Sequence, residues 1–173
     1  MEIVIDAQIV KGYYEETVLG NDVVAKGDLT SLPSVLFARV GVEDICFLDN
    51  IIEHEWRSLV EREWFEAWYG QLLIDGFVQI VPRTQSKEIE NKLRDLGFPP
   101  SRDKCYIRVC QTILAKKIAK HSILISEDLD FHDPTRKCGS SITRMKLLAD
   151  GNGSICKTLK RYCIHVVALC NYP

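Results

Sequence analysis

Ile3-Val4-Ile5 and Ile123-Leu124-Ile125 are short runs, apolar throughout and rich in β-branched residues, and each leads within three residues to an aspartate. A run with no polar alternation reads as a strand covered on both faces, as in the parallel sheets of α/β proteins. Phe77-Val78-Gln79-Ile80-Val81, closed by Pro82, and Cys163 to Leu169 read as two further strands. Between them lie stretches of helical period. Ala7 to about Thr17 carries Ile9, Val10, Tyr13 and Tyr14 on one side, and a helix over about 51–69 is capped by Asp49 or Asn50. Thr84 or Ser86 starts a helix to about Leu96, Asp103 one to about Lys120, and Ser140 or Ser141 one through Leu148, while Ser154 caps a last helical piece. Gly20 to Pro33 has turn chemistry, Ser34 caps a short helix to Val40, and Pro99-Pro100-Ser101-Arg102 is a rigid connector. Strands alternating with helices predict an α/β layer fold with a mainly parallel sheet, in one domain over residues 1–173.

In such sheets ligands bind beyond the carboxyl ends of the strands. Asp6 ends the first run and Asp128 and Asp130 follow the second, while Glu55 and Asp103 lie near the starts of helices. Gathered carboxylates repel one another and resist desolvation, so something positive must hold them. Hard divalent cations such as Mg²⁺ or Mn²⁺ prefer oxygen donors of this kind. Singly, each acid has a plainer reading. Asp6 and Asp103 suit helix caps, Asp128 and Asp130 suit turns, and Glu53 and Glu55 suit a helix surface.

The net charge of −2 conceals a division: residues 1–76 carry 15 acids and 5 bases, and residues 77–173 carry 9 acids and 17 bases. Arg136, Lys137, Arg144, Lys146, Lys157, Lys160 and Arg161 face only Asp150 within 134–162. A basic half beside an acidic cluster suits a polyanionic substrate brought to metal ions, although such a run is also what a solvated face looks like. Seven cysteines at this length read as free thiols, mostly buried, in a reducing compartment; Cys156, Cys163 and His165 have no standard zinc spacing. His132 reads as a surface residue that could meet substrate, and Trp56, Trp64, Phe65, Trp68 and Tyr69 as core or interface. No apolar stretch is long enough to cross a bilayer, and the first residues enter a strand at once, so a cytoplasmic protein is expected.

Taken together, the chain resembles the PIN domains, small metal-dependent nucleases that include toxin ribonucleases. The resemblance rests on Ile3-Val4-Ile5-Asp6, on Glu55-Trp56 at a helix start, on Asp103 opening a helix, and on Ser126-Glu127-Asp128-Leu129-Asp130-Phe131. It implies a three-layer α/β/α fold with strand order 3-2-1-4-5. It also implies catalysis by Asp6, Glu55, Asp103 and Asp128, with Asp130 assisting as a further metal ligand. The expected activity is Mg²⁺- or Mn²⁺-dependent hydrolysis of RNA, leaving 5′-phosphate and 3′-hydroxyl ends. An antitoxin protein and a second copy of the chain are the partners such a resemblance suggests. Two departures stand out. The family usually places Thr and then Asn or Ser after the first Asp, where this chain has Ala7-Gln8, and the segment at about 18–48 is longer than in minimal members, as for a lid or a dimer surface. Ala7-Gln8 keeps a second function in view, that of a PIN-like module binding RNA or protein without catalysis. A phosphatase using the same cluster is disfavoured by the basic half, and a receiver domain by the want of a phosphoacceptor strand in mid-chain.

Overall fold

The computed structural model describes residues 1–101, 103–136 and 140–172. Arg102 and Lys137, named above, and Cys138, one of the seven cysteines, lie outside the described residues.

Ile3, Val4 and Ile5 are fully buried, as a strand covered on both faces requires, and form the middle of a five-stranded sheet. The strands are β1 (Glu2–Ile5), β2 (Ile45–Leu48), β3 (Val78–Ile80), β4 (Ser122–Ile125) and β5 (Ile164–Val167). All pair in parallel, in the order β3-β2-β1-β4-β5. Helices α1 (Ala7–Thr17), α2 (Pro33–Phe37), α3 (Asn50–Ser58), α4 (Arg62–Ile74), α5 (Lys87–Asp95), α6 (Lys104–Ala115), α7 (Leu129–His132), α8 (Ser141–Asp150) and α9 (Ser154–Lys160) make the layers around it. The fold is therefore the three-layer α/β arrangement with the expected strand order. Among the described residues no helix is long and apolar enough to cross a membrane.

Two expectations are corrected. Asp44-Ile45-Cys46-Phe47-Leu48-Asp49 contains a strand, β2, inside the segment expected to be a lid or a dimer surface. Cys46, Phe47 and Leu48 are buried between β1 and β3, and β2 is second from the edge of the sheet. The segment 18–48 is thus divided: α2 and β2 belong to the layers, and residues 18–32 remain as a folded connection against α1. The helix expected over 51–69 is two helices. Ser58 turns its hydroxyl back onto the Glu55 carbonyl at 2.8 Å, and α3 stops there. α4 then folds back so that Trp68 meets Trp56, with ring centroids 6.1 Å apart.

The register places the site. Ile3, Val4 and Ile5 stand opposite Ile123, Leu124 and Ile125, so β1 and β4 end level. The next residues, Asp6 and Ser126, leave the sheet side by side, Asp6 still donating its N–H to the Ile125 carbonyl at 3.0 Å. The chain runs from β1 outward through β2 and β3, then crosses to β4 and β5 on the other side. The order of strands reverses between β1 and β4, and a crevice opens beyond the carboxyl ends of strands at such a switch point.

Candidate functional site

Asp6 caps α1: its Oδ1 accepts from the Gln8 N–H at 3.2 Å, while Oδ2 accepts a short hydrogen bond from the Ser126 hydroxyl. Both the capping role and the position at the strand end are real, and the carboxylate is 5% exposed. Ser126 Oγ also receives the Asp128 N–H at 3.0 Å, so one hydroxyl fixes Asp6 and the turn that carries Asp128. Asp128 in turn caps α7, its Oδ1 accepting from the Asp130 N–H at 2.9 Å. Asp130 is half-buried in the first turn of that helix.

Glu55, on α3, reaches the same place through Tyr106 of α6. The Tyr106 hydroxyl donates to Glu55 Oε2 at 2.8 Å and accepts from the Ala7 N–H at 3.2 Å. Tyr106 is 1% exposed, and burial together with the Asp6 and Glu55 charges raises its phenol far above the ordinary value, so it remains a donor. Where Ala7 brings no hydroxyl, Tyr106 supplies one to the start of α1. Glu53 points elsewhere: it pairs with Arg57 at 2.8 Å, and its charge acts on Tyr69. Asp103 precedes α6 but makes no side-chain cap; its Oδ2 accepts from the Ser101 hydroxyl at 2.6 Å. Its charge, with those of Asp49 and Glu55, acts on Cys105.

The arrangement therefore couples Asp6 electrostatically to Glu55 and Asp128, and links Asp103 to Glu55 only through the charge both exert on Cys105. Burial pushes the Asp6 carboxyl up to about 7, opposed by the Ser126 and Gln8 hydrogen bonds, and the Asp128 and Glu55 charges push it further up. Among the described residues no Lys or Arg pairs with Asp6, Glu55 or Asp128. Two of the other buried acids meet cations, and the third, Glu127, is held by hydrogen bonds. Asp44 meets the Met1 ammonium at 2.9 Å, and Asp49 meets Arg83 at 2.8 Å while capping α3. Asp49 directly follows β2; its Oδ1 caps α3, while its buried Oδ2 has the Arg83 charge beside it and no hydrogen-bond partner among the described residues.

No three Asp, Glu, His or Cys side chains stand as a ready-made ligand set among the described residues. The donors at the switch point are nonetheless all carboxylate oxygens. Mg²⁺ keeps several waters and takes one or two carboxylates with the phosphates of its substrate, so a loosely spaced cluster fits a hydrated ion of this type.

Glu127, between Ser126 and Asp128, went unassigned on sequence. Its buried carboxylate accepts from the Thr30 N–H at 3.1 Å, the Thr30 hydroxyl at 2.6 Å and the Leu169 N–H at 2.7 Å. Arg144 of α8 donates to the Glu127, Gly27 and Asp28 carbonyls at 2.6, 3.3 and 3.2 Å. These bonds pin residues 27–30 beside the site. A groove of about 610 Å³ results, with Lys11, Gly12, Asp28, Glu127, Asp128 and Arg144 in its walls. A Cβ at Gly12 would stand 2.3 Å from Leu29 Cδ1, so a larger residue there would have to displace that buried side chain.

The described residues of the basic segment do not all line this groove. Arg144 borders this groove, whereas Lys157 and Lys160 line a separate hollow with His165. His132 is 1% exposed, so neither the surface nor the substrate-facing reading holds. Its Nε2 stands 2.9 Å from the Ser126 carbonyl, an acceptor, so that nitrogen carries the proton and Nδ1 faces Cys156 Sγ at 3.4 Å. Cys46, Cys105, Cys110 and Cys156 are buried free thiols, Cys163 is half-buried, and Cys170 is exposed, against expectation. Comparison with family models, curated proteins and solved structures gives no match to this chain.

Proposed function

We propose that the chain is a PIN-type endoribonuclease dependent on Mg²⁺ or Mn²⁺. The observation that carries this reading is the buried Asp6 carboxylate at the β1/β4 switch point, with Asp128 and Glu55 adding like charge and, among the described residues, no Lys or Arg in an ion pair with it. Buried acids are ordinarily paired or bound to metal. Asp6, Asp128 and Glu55 would hold the ion, with Asp103 and Asp130 around it. A bound ion of this kind supplies a water of lowered pKa and a counter-charge for the leaving oxygen. The chain's own part is orientation. Ser126 fixes Asp6, Tyr106 fixes Glu55, and Lys11 offers the groove a cation for a backbone phosphate. An antitoxin partner, a homodimer and a cytoplasmic setting belong to the same proposal.

A second reading, a PIN-like module that binds without cutting, is favoured by Ala7-Gln8 and by the lack of a preformed three-residue ligand set among the described residues. Labelled RNA incubated with purified protein in Mn²⁺ or EDTA separates the two. Cleavage in Mn²⁺ alone supports the enzyme, and binding without cleavage in either supports the module.

Glu55→Gln is expected to abolish most of that cleavage and Glu53→Gln to leave it within about twofold, since only Glu55 is tied to Tyr106 and coupled to Asp6. Rates measured side by side decide the matter; loss confined to the Glu53 variant would reverse the assignment. Lys11, half-exposed in the groove wall and 3.6 Å from Glu15, tests the substrate path. Lys11→Gln should weaken RNA binding across sequences and lower the slope of log affinity against log salt by about one. Unchanged slope and affinity would take the RNA path away from this groove.

A further inference from the structure

At the far side of the sheet from the β1–β2 pair, two imidazoles meet on neighbouring strands. His121 immediately precedes β4, and His165 lies in β5 opposite Ile123. Strand alternation puts residues 121, 123, 165 and 167 on one face. With Tyr172 they line an open, largely apolar hollow of about 270 Å³. His121 Nδ1 and His165 Nε2 are 3.4 Å apart, and the ring planes cross at 77°.

That separation has a chemical meaning. Two nitrogens bound to one ion at about 2.0–2.1 Å in tetrahedral geometry stand about 3.3–3.4 Å from each other. The two nitrogens therefore stand at the separation of one edge of a zinc coordination tetrahedron, and an ion would replace the hydrogen bond now between them. The crossed planes keep the rings from stacking, and His121 is exposed, so an ion can enter from solvent. Burial, His121 and Lys160 all hold His165 below the ordinary histidine value, which leaves its ring neutral at physiological pH. The same Lys160 charge opposes a cation, screened by the water around its exposed side chain.

We propose that His121 Nδ1 and His165 Nε2 form a two-imidazole site for a borderline divalent transition ion, Zn²⁺ above all, with water completing its shell. Imidazole nitrogen selects Zn²⁺, Ni²⁺ or Cu²⁺ over Mg²⁺. The site is separate from the carboxylates of the β1/β4 crevice and does not depend on their having a metal. A bound ion would clip β4 to β5, the edge strand.

The test is titration of the full chain with Zn²⁺ at pH 7.5, in millimolar Mg²⁺ so that the carboxylates are occupied by the harder ion. Imidazole ¹⁵N shifts and calorimetry are the readouts. The expected result is a shift at His121 Nδ1 and His165 Nε2, with the other two histidines unmoved, and one equivalent of Zn²⁺ lost in both His121→Ala and His165→Ala. Each variant should weaken that equivalent by at least about tenfold, since even residues that only orient a metal ligand are worth 10–100-fold. Zn²⁺ taken up undiminished by both variants but lost on Cys170→Ser would assign the ion to thiol and overturn the site. Unshifted His121 and His165 nitrogens at saturating Zn²⁺ would leave the pair a hydrogen bond and nothing more. Neither outcome depends on whether RNA is cleaved.

Discussion

Asp6→Asn is expected to abolish the proposed metal-dependent cleavage and at the same time to make the metal-free protein more stable above neutral pH. The two effects have one cause. The substitution removes a charge with little change in volume, and the single amide oxygen can accept from the Ser126 hydroxyl or from the Gln8 N–H but not from both. Cleavage should fall by more than about 100-fold, beyond the loss typical of a residue that merely orients a ligand.

The stability effect follows from linkage. The Asp6 carboxyl has an ordinary value of 3.8 and is raised to about 7 by burial first, with Asp128 and Glu55 adding to it. The folded state thus binds the proton more tightly than the unfolded chain does. Its stabilising contribution is fully present below about pH 4 and is lost as pH rises to about 7. A shift of this size corresponds to about 4 kcal/mol. In EDTA at pH 8, Asp6→Asn should therefore raise Tm by several degrees, at about 2–4 °C per kcal/mol for a chain of this length. At pH 4 the two proteins should melt alike. Mn²⁺ should raise Tm of the wild type and not of the variant. Thermal melts across pH, with and without metal, check all three. A variant that melts lower than wild type at pH 8 in EDTA would show that Asp6 is a structural cap whose charge the fold needs.

This trade between stability and site is written partly in the sequence. Asp6 and Asp128 are legible because a short, wholly apolar run leading to an acid has few other uses. β2 was missed although Ile45-Cys46-Phe47-Leu48 is likewise a wholly apolar run leading to an acid, Asp49; it has one β-branched residue where β1 and β4 have two or more, and it lies in a stretch of turn residues and charges. The break between α3 and α4 was equally hidden. Leu59 and Val60 continue the helical period, and only the Ser58 hydroxyl and the packing of Trp68 on Trp56 turn the chain.

The supporting groups of the site were the least legible. Tyr106 sits on the inner face of α6, where an aromatic reads as core, and its hydroxyl has a role only because the Ala7 N–H, 99 residues away in sequence, folds against it. Arg144 read as a phosphate contact by charge alone. Its three backbone carbonyls, on Gly27, Asp28 and Glu127, can be found only after the connection at 18–32 is folded against the sheet. Glu127, flanked by Ser126 and Asp128, looks like one more solvated acid.

Glu127 is instead where the second large effect is expected. Its carboxylate is 1% exposed and takes two bonds from Thr30 and one from the Leu169 N–H, joining the 18–32 connection to the end of β5. Glu127→Ala removes the acceptor from all three donors. The Thr30 hydroxyl can rotate away, but the two backbone N–H groups cannot, and an unsatisfied buried donor costs about 1–3 kcal/mol. The variant should thus lose about 3 kcal/mol or more, a large part of the margin of a chain this size. The loss should also be local before it is global. Arg144 still holds the Gly27 and Asp28 carbonyls, but Thr30 is released, so the connection should open while the sheet remains folded. Exposed Lys26 then becomes a trypsin site, and limited proteolysis should cut there faster in Glu127→Ala than in the wild type at temperatures well below melting. Glu63→Ala, at an exposed position on α4, serves as the control and should change neither the urea midpoint nor the cutting rate. Equal midpoints for Glu127→Ala and wild type would mean that water satisfies these donors as well as the carboxylate does. The groove beside Asp128 would then owe its wall to Arg144 and to the packing of Leu29 against Gly12.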